Sequence, residues 1–258
     1  MKIVSLLENT TEREDIGAEH GLSLYIETAH SRILFDMGHT ALFSENARKL
    51  GVDLSTVDLA ILSHGHYDHG GGLGKFLEIN HHAPVYIRRE AFLPHYHGTD
   101  VYIGLDTGLK EHPQIVFTED EHRINASLSL HSCNGRARTH ATVVSGQTEK
   151  TDKGFVPEDF RHEQYLLIEE SGKRVLISGC SHKGILDIAA WFLPDALVGG
   201  FHYSNLPLDG YLADAAKELA SYPTAFYTCH CTGRAQYEFM KQYMPSLHYI
   251  SCGREIFL

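Results

Sequence analysis

The chain has 258 residues, 43% of them hydrophobic, with 22 basic and 33 acidic side chains and a formal net charge of −11. That length can bury a sizeable core as one domain or two small ones. The charge argues against nucleic acid or an anionic membrane as the main partner, because both bind through positive surface potential.

No apolar run approaches the roughly 20 residues of a bilayer span, and the opening MKIVSLLENT turns polar too soon for a signal peptide. Five cysteines are an odd and sparse set, which points to a reducing cytoplasm rather than a disulfide framework. Nineteen histidines are the outlier, and imidazole is the commonest protein ligand for transition metals.

KIVSLLE (2–8) and LSLYIET (22–28) read as strands, and ILFDMG (33–38) as a short buried strand ended by a glycine turn. ALFSENARKLG (41–51) sets Leu42, Phe43, Ala47 and Leu50 at helical spacing, with Gly51 as the stop. DLAILSH (58–64) is a nearly continuous apolar strand, as in a sheet covered on both faces. PVYIRRE (84–90) is another strand.

From about 91 to 161 the periodicity fades, and only QIVF (114–117) and INASLSLHS (124–132) read as strands. This stretch is expected to be an insertion or lid. Alternation then returns: strands 164–170 and 174–179, helix 183–193, strand 196–201, helix 210–221, strand 224–228, helix 234–243 and strand 247–251. The pattern predicts an α/β domain spanning 1–258, two packed sheets with helices outside.

LSHGHYDHGGGL (62–73) leaves the strand 58–64 with three histidines and an aspartate in six positions. The spacing of His64 and His66 sends both imidazoles the same way. Asp68 and His69 follow in a tight turn, and Gly70, Gly71 and Gly72 let the backbone close around the cluster. One loop cannot supply two coordination spheres, so further ligands must come from elsewhere.

The candidates are strand ends: Cys180 and His182 in SGCSHKG, His202 in GGFHYS, His230 in TCHCTG, and His162 before strand 164–170. His81, His82, His112, His122 and His140 read as surface groups; His95 and His97 read the same way, with a pocket-lining place as the alternative.

LFDMG followed by AILSHGHYDHGGGL resembles the metallo-β-lactamase superfamily, whose members share an αββα sandwich with a metal site at the sheet edges. EHGLSLYIE, YIGLD, HEQYLLIEE, LISGCSHKGI, VGGFH and CHCTG extend the likeness to a subfamily similar to 7,8-dihydropterin-6-yl-methyl-4-(β-D-ribofuranosyl)aminobenzene-5′-phosphate synthase. The resemblance implies that His64, His66 and His162 hold one cation and Asp68, His69 and His230 a second.

The bridging place, usually an aspartate, falls at Cys180, with His182 as an alternative ligand. The implied cofactors are two divalent ions, zinc first because a thiolate is soft, with manganese or iron as alternatives. Asp36 would orient a ligand imidazole through its ring N–H. His202 is the expected general acid, with Asp68 also in a catalytic role. His20, Tyr67 and Lys183 are expected substrate contacts, and Arg136 and Arg138 read as a solvent-exposed basic loop, with closure over the substrate as the alternative.

The expected activity is hydrolysis of a small phosphorylated or ester-bearing metabolite, in the cytoplasm, by water activated between two metals. A synthase-type condensation at the same metals, and a metal-binding sensor with little turnover, are the alternatives.

Overall fold

β1 (Lys2–Leu7), β2 (Ser23–Glu27) and β3 (Arg32–Phe35) precede α1 (Leu42–Lys49), β4 (Leu59–Ile61), α2 (Tyr67–Gly70), α3 (Leu73–Ile79) and β5 (Val85–Arg88). Then come β6 (His95–His97), β7 (Val101–Tyr102), β8 (Ile115–Thr118), β9 (Glu121–Arg123), β10 (Leu128–His131), β11 (Gln147–Thr151) and β12 (Gly154–Pro157). The last third holds β13 (Tyr165–Glu170), β14 (Lys173–Ile177), α4 (Ile185–Phe192), β15 (Ala196–Val198), α5 (Gly210–Ala220), β16 (Ala225–Thr228), α6 (Arg234–Met240), β17 (His248–Tyr249) and β18 (Glu255–Phe257). The computed structural model describes residues 1–141 and 146–258.

Two seven-stranded sheets have the orders β18-β1-β2-β3-β4-β5-β8 and β17-β16-β15-β14-β13-β10-β9. Strand periodicity explains why they stack. Ile33 and Phe35 of β3 meet Val175 and Ile177 of β14 between the sheets. The intervening Leu34 packs on the α1 and α3 side with Phe43, Ala47 and Phe76. Leu176 packs on the other side with Ile188 of α4, Leu212 and Leu219 of α5 and Met240 of α6. The result is the αββα sandwich that the alternation predicts. No helix among the described residues is long and apolar enough to cross a membrane.

The stretch 91–161 differs from an irregular insertion. β8 extends the first sheet, β9 and β10 extend the second, and β12-β11-β6-β7 form a separate small sheet. Strands such as QTEKT and HYH are half-exposed and mostly polar, so no hydrophobic period marks them.

Within the first sheet β3, β4 and β5 run parallel, and within the second β14, β15 and β16 do. Loops leaving parallel strands share one edge, where ligands gather in such folds. Asp36, His64, Cys180, His202 and His230 all lie just beyond these strands.

Candidate metal centre

Close packing shapes the 62–73 loop. A Cβ on Gly71 would lie 2.1 Å from the His39 carbonyl oxygen, and one on Gly72 would lie 2.2 Å from that of Met37. Only glycine permits this approach, which lets the Met37 N–H donate to the His69 carbonyl at 2.7 Å. Five side chains around the site also come from non-glycine residues with positive φ: Asp36, Phe160, Ser181, His202 and His230. Backbone held in that region is typical of functional sites.

His69 Nε2 lies 3.1 Å from both His230 Nε2 and Cys180 Sγ. Asp68 Oδ2 is 3.2 Å from His230 Nε2 and 3.7 Å from His69 Nε2. The other ring nitrogens are committed. His69 Nδ1 donates to Asp36 Oδ2 at 2.6 Å, and His230 Nδ1 donates to Asn9 Oδ1 at 2.7 Å. Both rings therefore turn unprotonated Nε2 lone pairs on one point.

Burial lowers the basicity of His69, but the carboxylates of Asp36 and Asp68 outweigh it and raise its pKa to about 9. Glu8 fixes the second strand end by accepting the His230 N–H at 2.8 Å and the Tyr249 hydroxyl.

A second convergence lies beside the first. Ser63 donates its hydroxyl proton to Asp36 Oδ2 and so accepts from His64 Nδ1, at 2.7 and 2.8 Å. That leaves His64 Nε2 bare, 3.3 Å from His182 Nε2. His66 joins these two in a group whose donor atoms lie within 4.8 Å of one another. Nitrogen ligands of tetrahedral zinc at 2.0–2.1 Å stand about 3.3 Å apart, close to these separations. Burial and neighbouring histidines keep His64 and His182 well below the ordinary imidazole pKa, hence neutral and able to ligate. The buried donor set of imidazoles, one carboxylate and one thiol thus fits divalent cations.

These groups open into a cavity of about 350 Å³ lined in part by His20, Tyr67, His97, Val101, Ile103, Gln147, His202, Ser204 and Asn205. Cys231 lines it too, and its sulfur and that of Cys180 group with His202. His20 reaches in from an exposed position, with Nε2 3.2 Å from Asp68 Oδ2.

The family model described as the metallo-beta-lactamase superfamily matches residues 16–151, more than half of the chain. The chain belongs to the metallo-beta-lactamase superfamily.

Within it, the chain is 28% identical to the crystal structure of Tm1679, a metal-dependent hydrolase of the beta-lactamase superfamily, with a TM-score of 0.85 over 100% of this chain and 99% of that one. An uncharacterised protein of Methanocaldococcus jannaschii is 29% identical over 242 residues, covering 90% of this chain and 91% of its own length. The 7,8-dihydropterin-6-methyl-4-(beta-D-ribofuranosyl)-aminobenzene-5′-phosphate synthase of the same organism is 27% identical over 93% of this chain and 90% of its own. Zinc-bound PqqB from Methylobacterium extorquens, at 12% identity, a TM-score of 0.60 and full coverage of both chains, shares the fold.

The structure brings His64, His66, Asp68, His69, Cys180, His182 and His230 close together, and Asp36 accepts from His69 Nδ1. One expectation is corrected. Lys183 is no substrate contact: it is 1% exposed, and its ammonium is spent on the carbonyls of Ser132 and Glu163 at 2.6 and 3.0 Å. His162 lies in a group with His66, His95 and Glu158, where its Nδ1 accepts the Gly65 N–H at 2.9 Å and its Nε2 faces Glu158 at 3.2 Å.

Arg136 and Arg138 bind the carbonyls of Trp191 and Asp159 and do not line the cavity. Sequence reasoning missed Glu158, Cys231, Glu8 and Asn9. Cys231 was adjacent to His230 and legible there, whereas an isolated glutamate in a weakly patterned stretch carries no signal.

Proposed function

We propose that this protein is a hydrolase of small ester- or phosphate-bearing metabolites that works with two divalent cations, zinc foremost. The observation that carries it is the pair of bare, buried Nε2 atoms of His69 and His230, 3.1 Å apart, with Cys180 and Asp68 beside them. When bound, such ions lower the pKa of water and polarise the oxygen of the scissile group.

The chain does the rest. Asp36, Ser63 and Asn9 hold the ligand protons on Nδ1. Tyr67, Val101 and Ile103 give the substrate an apolar wall. His202, on the cavity wall with its ring 4.3 Å from that of His182, donates a proton to the leaving group. Asp68, anchored between His20 and His230, holds the charge balance beside the reacting centre.

Zinc-reconstituted protein should cleave p-nitrophenyl esters or bis(p-nitrophenyl) phosphate and lose that activity on chelation. A protein that retains no zinc, or retains it without turnover, refutes the proposal. The likeness to the synthase over 93% of the chain supports a second reading, condensation with loss of pyrophosphate. Pyrophosphate released only when a ribosyl pyrophosphate and an aromatic amine are supplied together would select it.

A further inference from the structure

We infer that His182 has taken the ligand place that the motif pattern gives to His162, and that the segment 158–163 now positions ligands instead of supplying one. This rests on the proposed two-cation site.

Proton bookkeeping carries the first half. An imidazole nitrogen that accepts a backbone N–H bears no hydrogen itself, so Gly65 fixes His162 as the tautomer protonated on Nε2. That proton points at Glu158, and the ring has no lone pair left for a cation. Glu158 also faces His66 Nε2 at 3.1 Å and His95 Nδ1 at 2.8 Å. Three N–H groups therefore fill one buried carboxylate. His66, Glu158, His95 and His162 are close enough to mimic a metal site, yet they are satisfied by protons. The arrangement also leaves His66 Nδ1 as its free lone pair, turned from Glu158.

His182 has the opposite environment. Its Nε2 stands 3.3 Å from the bare His64 Nε2, and its Nδ1 is buried with no hydrogen-bond partner among the described residues. The ring is held by stacking on Phe160, centroids 4.4 Å apart and planes within 4°. Its backbone N–H donates to Glu163 Oε1 at 2.7 Å, and that of Lys183 donates to Oε2 at 3.1 Å. Phe160 and Glu163 flank His162 in sequence, so the stretch that lost its ligand builds the cradle for the replacement. The buried Lys183 ammonium closes the same turn onto the Glu163 carbonyl.

The test is zinc content after reconstitution and gel filtration, together with long-range ¹H–¹⁵N histidine spectra of the zinc-loaded wild type. His182→Ala should fall from two zinc per chain to one, and His162→Ala should keep two. In the wild-type spectra, His162 should show a protonated, uncoordinated Nε2 and His182 a zinc-bound nitrogen, a readout that does not depend on either variant folding. The reverse pattern, or a zinc-bound His162 nitrogen, overturns the assignment while leaving the hydrolase proposal intact. A wild type that keeps no zinc overturns both.

Discussion

Replacing Asp36 by asparagine changes one atom and should invert two ligands. Asp36 is fully buried, and its Oδ1 accepts the Ser63 N–H while its Oδ2 accepts both the Ser63 hydroxyl and His69 Nδ1. The Ser63 backbone donor is fixed, so the amide oxygen of Asp36→Asn must take the Oδ1 place and its NH₂ the Oδ2 place. The amide then donates to His69 Nδ1, which pushes the His69 proton onto Nε2, where the cation should sit. It also donates to Ser63, whose hydroxyl is freed to donate to His64 Nδ1 and invert that ring too.

Loss of such an orienting partner costs roughly 10–100-fold in metal affinity, about 1.4–2.8 kcal/mol. Competition titration of metal-free protein against a chromophoric zinc chelator measures this, and thermal melts check the fold. Ser63→Ala should weaken only the cation beside His64. An Asp36→Asn protein that folds and binds both zinc ions with wild-type affinity would show that tautomer control is not what Asp36 provides.

Lys183→Met keeps the stem and removes the ammonium, stranding two buried carbonyls at about 1–3 kcal/mol each. The melting temperature should fall while KM stays unchanged, and a KM effect alone would restore a substrate role. His202→Gln should retain both zinc ions and lose kcat, most for substrates with poor leaving groups; unchanged kinetics would remove it from the acid role.

His140 pairs with Asp187 at 2.9 Å and Glu218 at 3.1 Å, and its pKa is raised above the ordinary value, chiefly by the Asp187 hydrogen bond. A raised folded pKa stabilises below the unfolded pKa of about 6.5 and ceases to do so as pH rises through the folded value. Urea melts of wild type and His140→Gln should therefore differ more at about pH 5.5 than at about pH 9, and an equal gap at both would contradict the ion pair.

Much of this architecture was legible in the chain. β3, β4 and β14 read as apolar runs because both their faces are covered, and helices such as α5 kept their period because one face meets solvent. The small sheet was invisible because β6, β7, β11 and β12 pair through backbone groups while their side chains are largely polar or exposed.

The candidate ligands were legible where strand ends concentrate His, Asp and Cys. Which nitrogen of each ring is free was not, because this depends on partners far off in sequence: Asn9 for His230, Gly65 for His162, and Asp36 through Ser63 for His64. Spacing cannot tell His162 from His182, whereas a single backbone amide can.

The polypeptide divides its labour in a way that invites engineering. Val101 and Gln147, from the small sheet, and the neighbouring Ile103 face the cavity, yet none of them belongs to the clusters at the bottom. Exchanging Val101, Ile103 and Gln147 should therefore re-tailor which molecules are accepted while the clusters of candidate ligands beneath them are inherited unaltered.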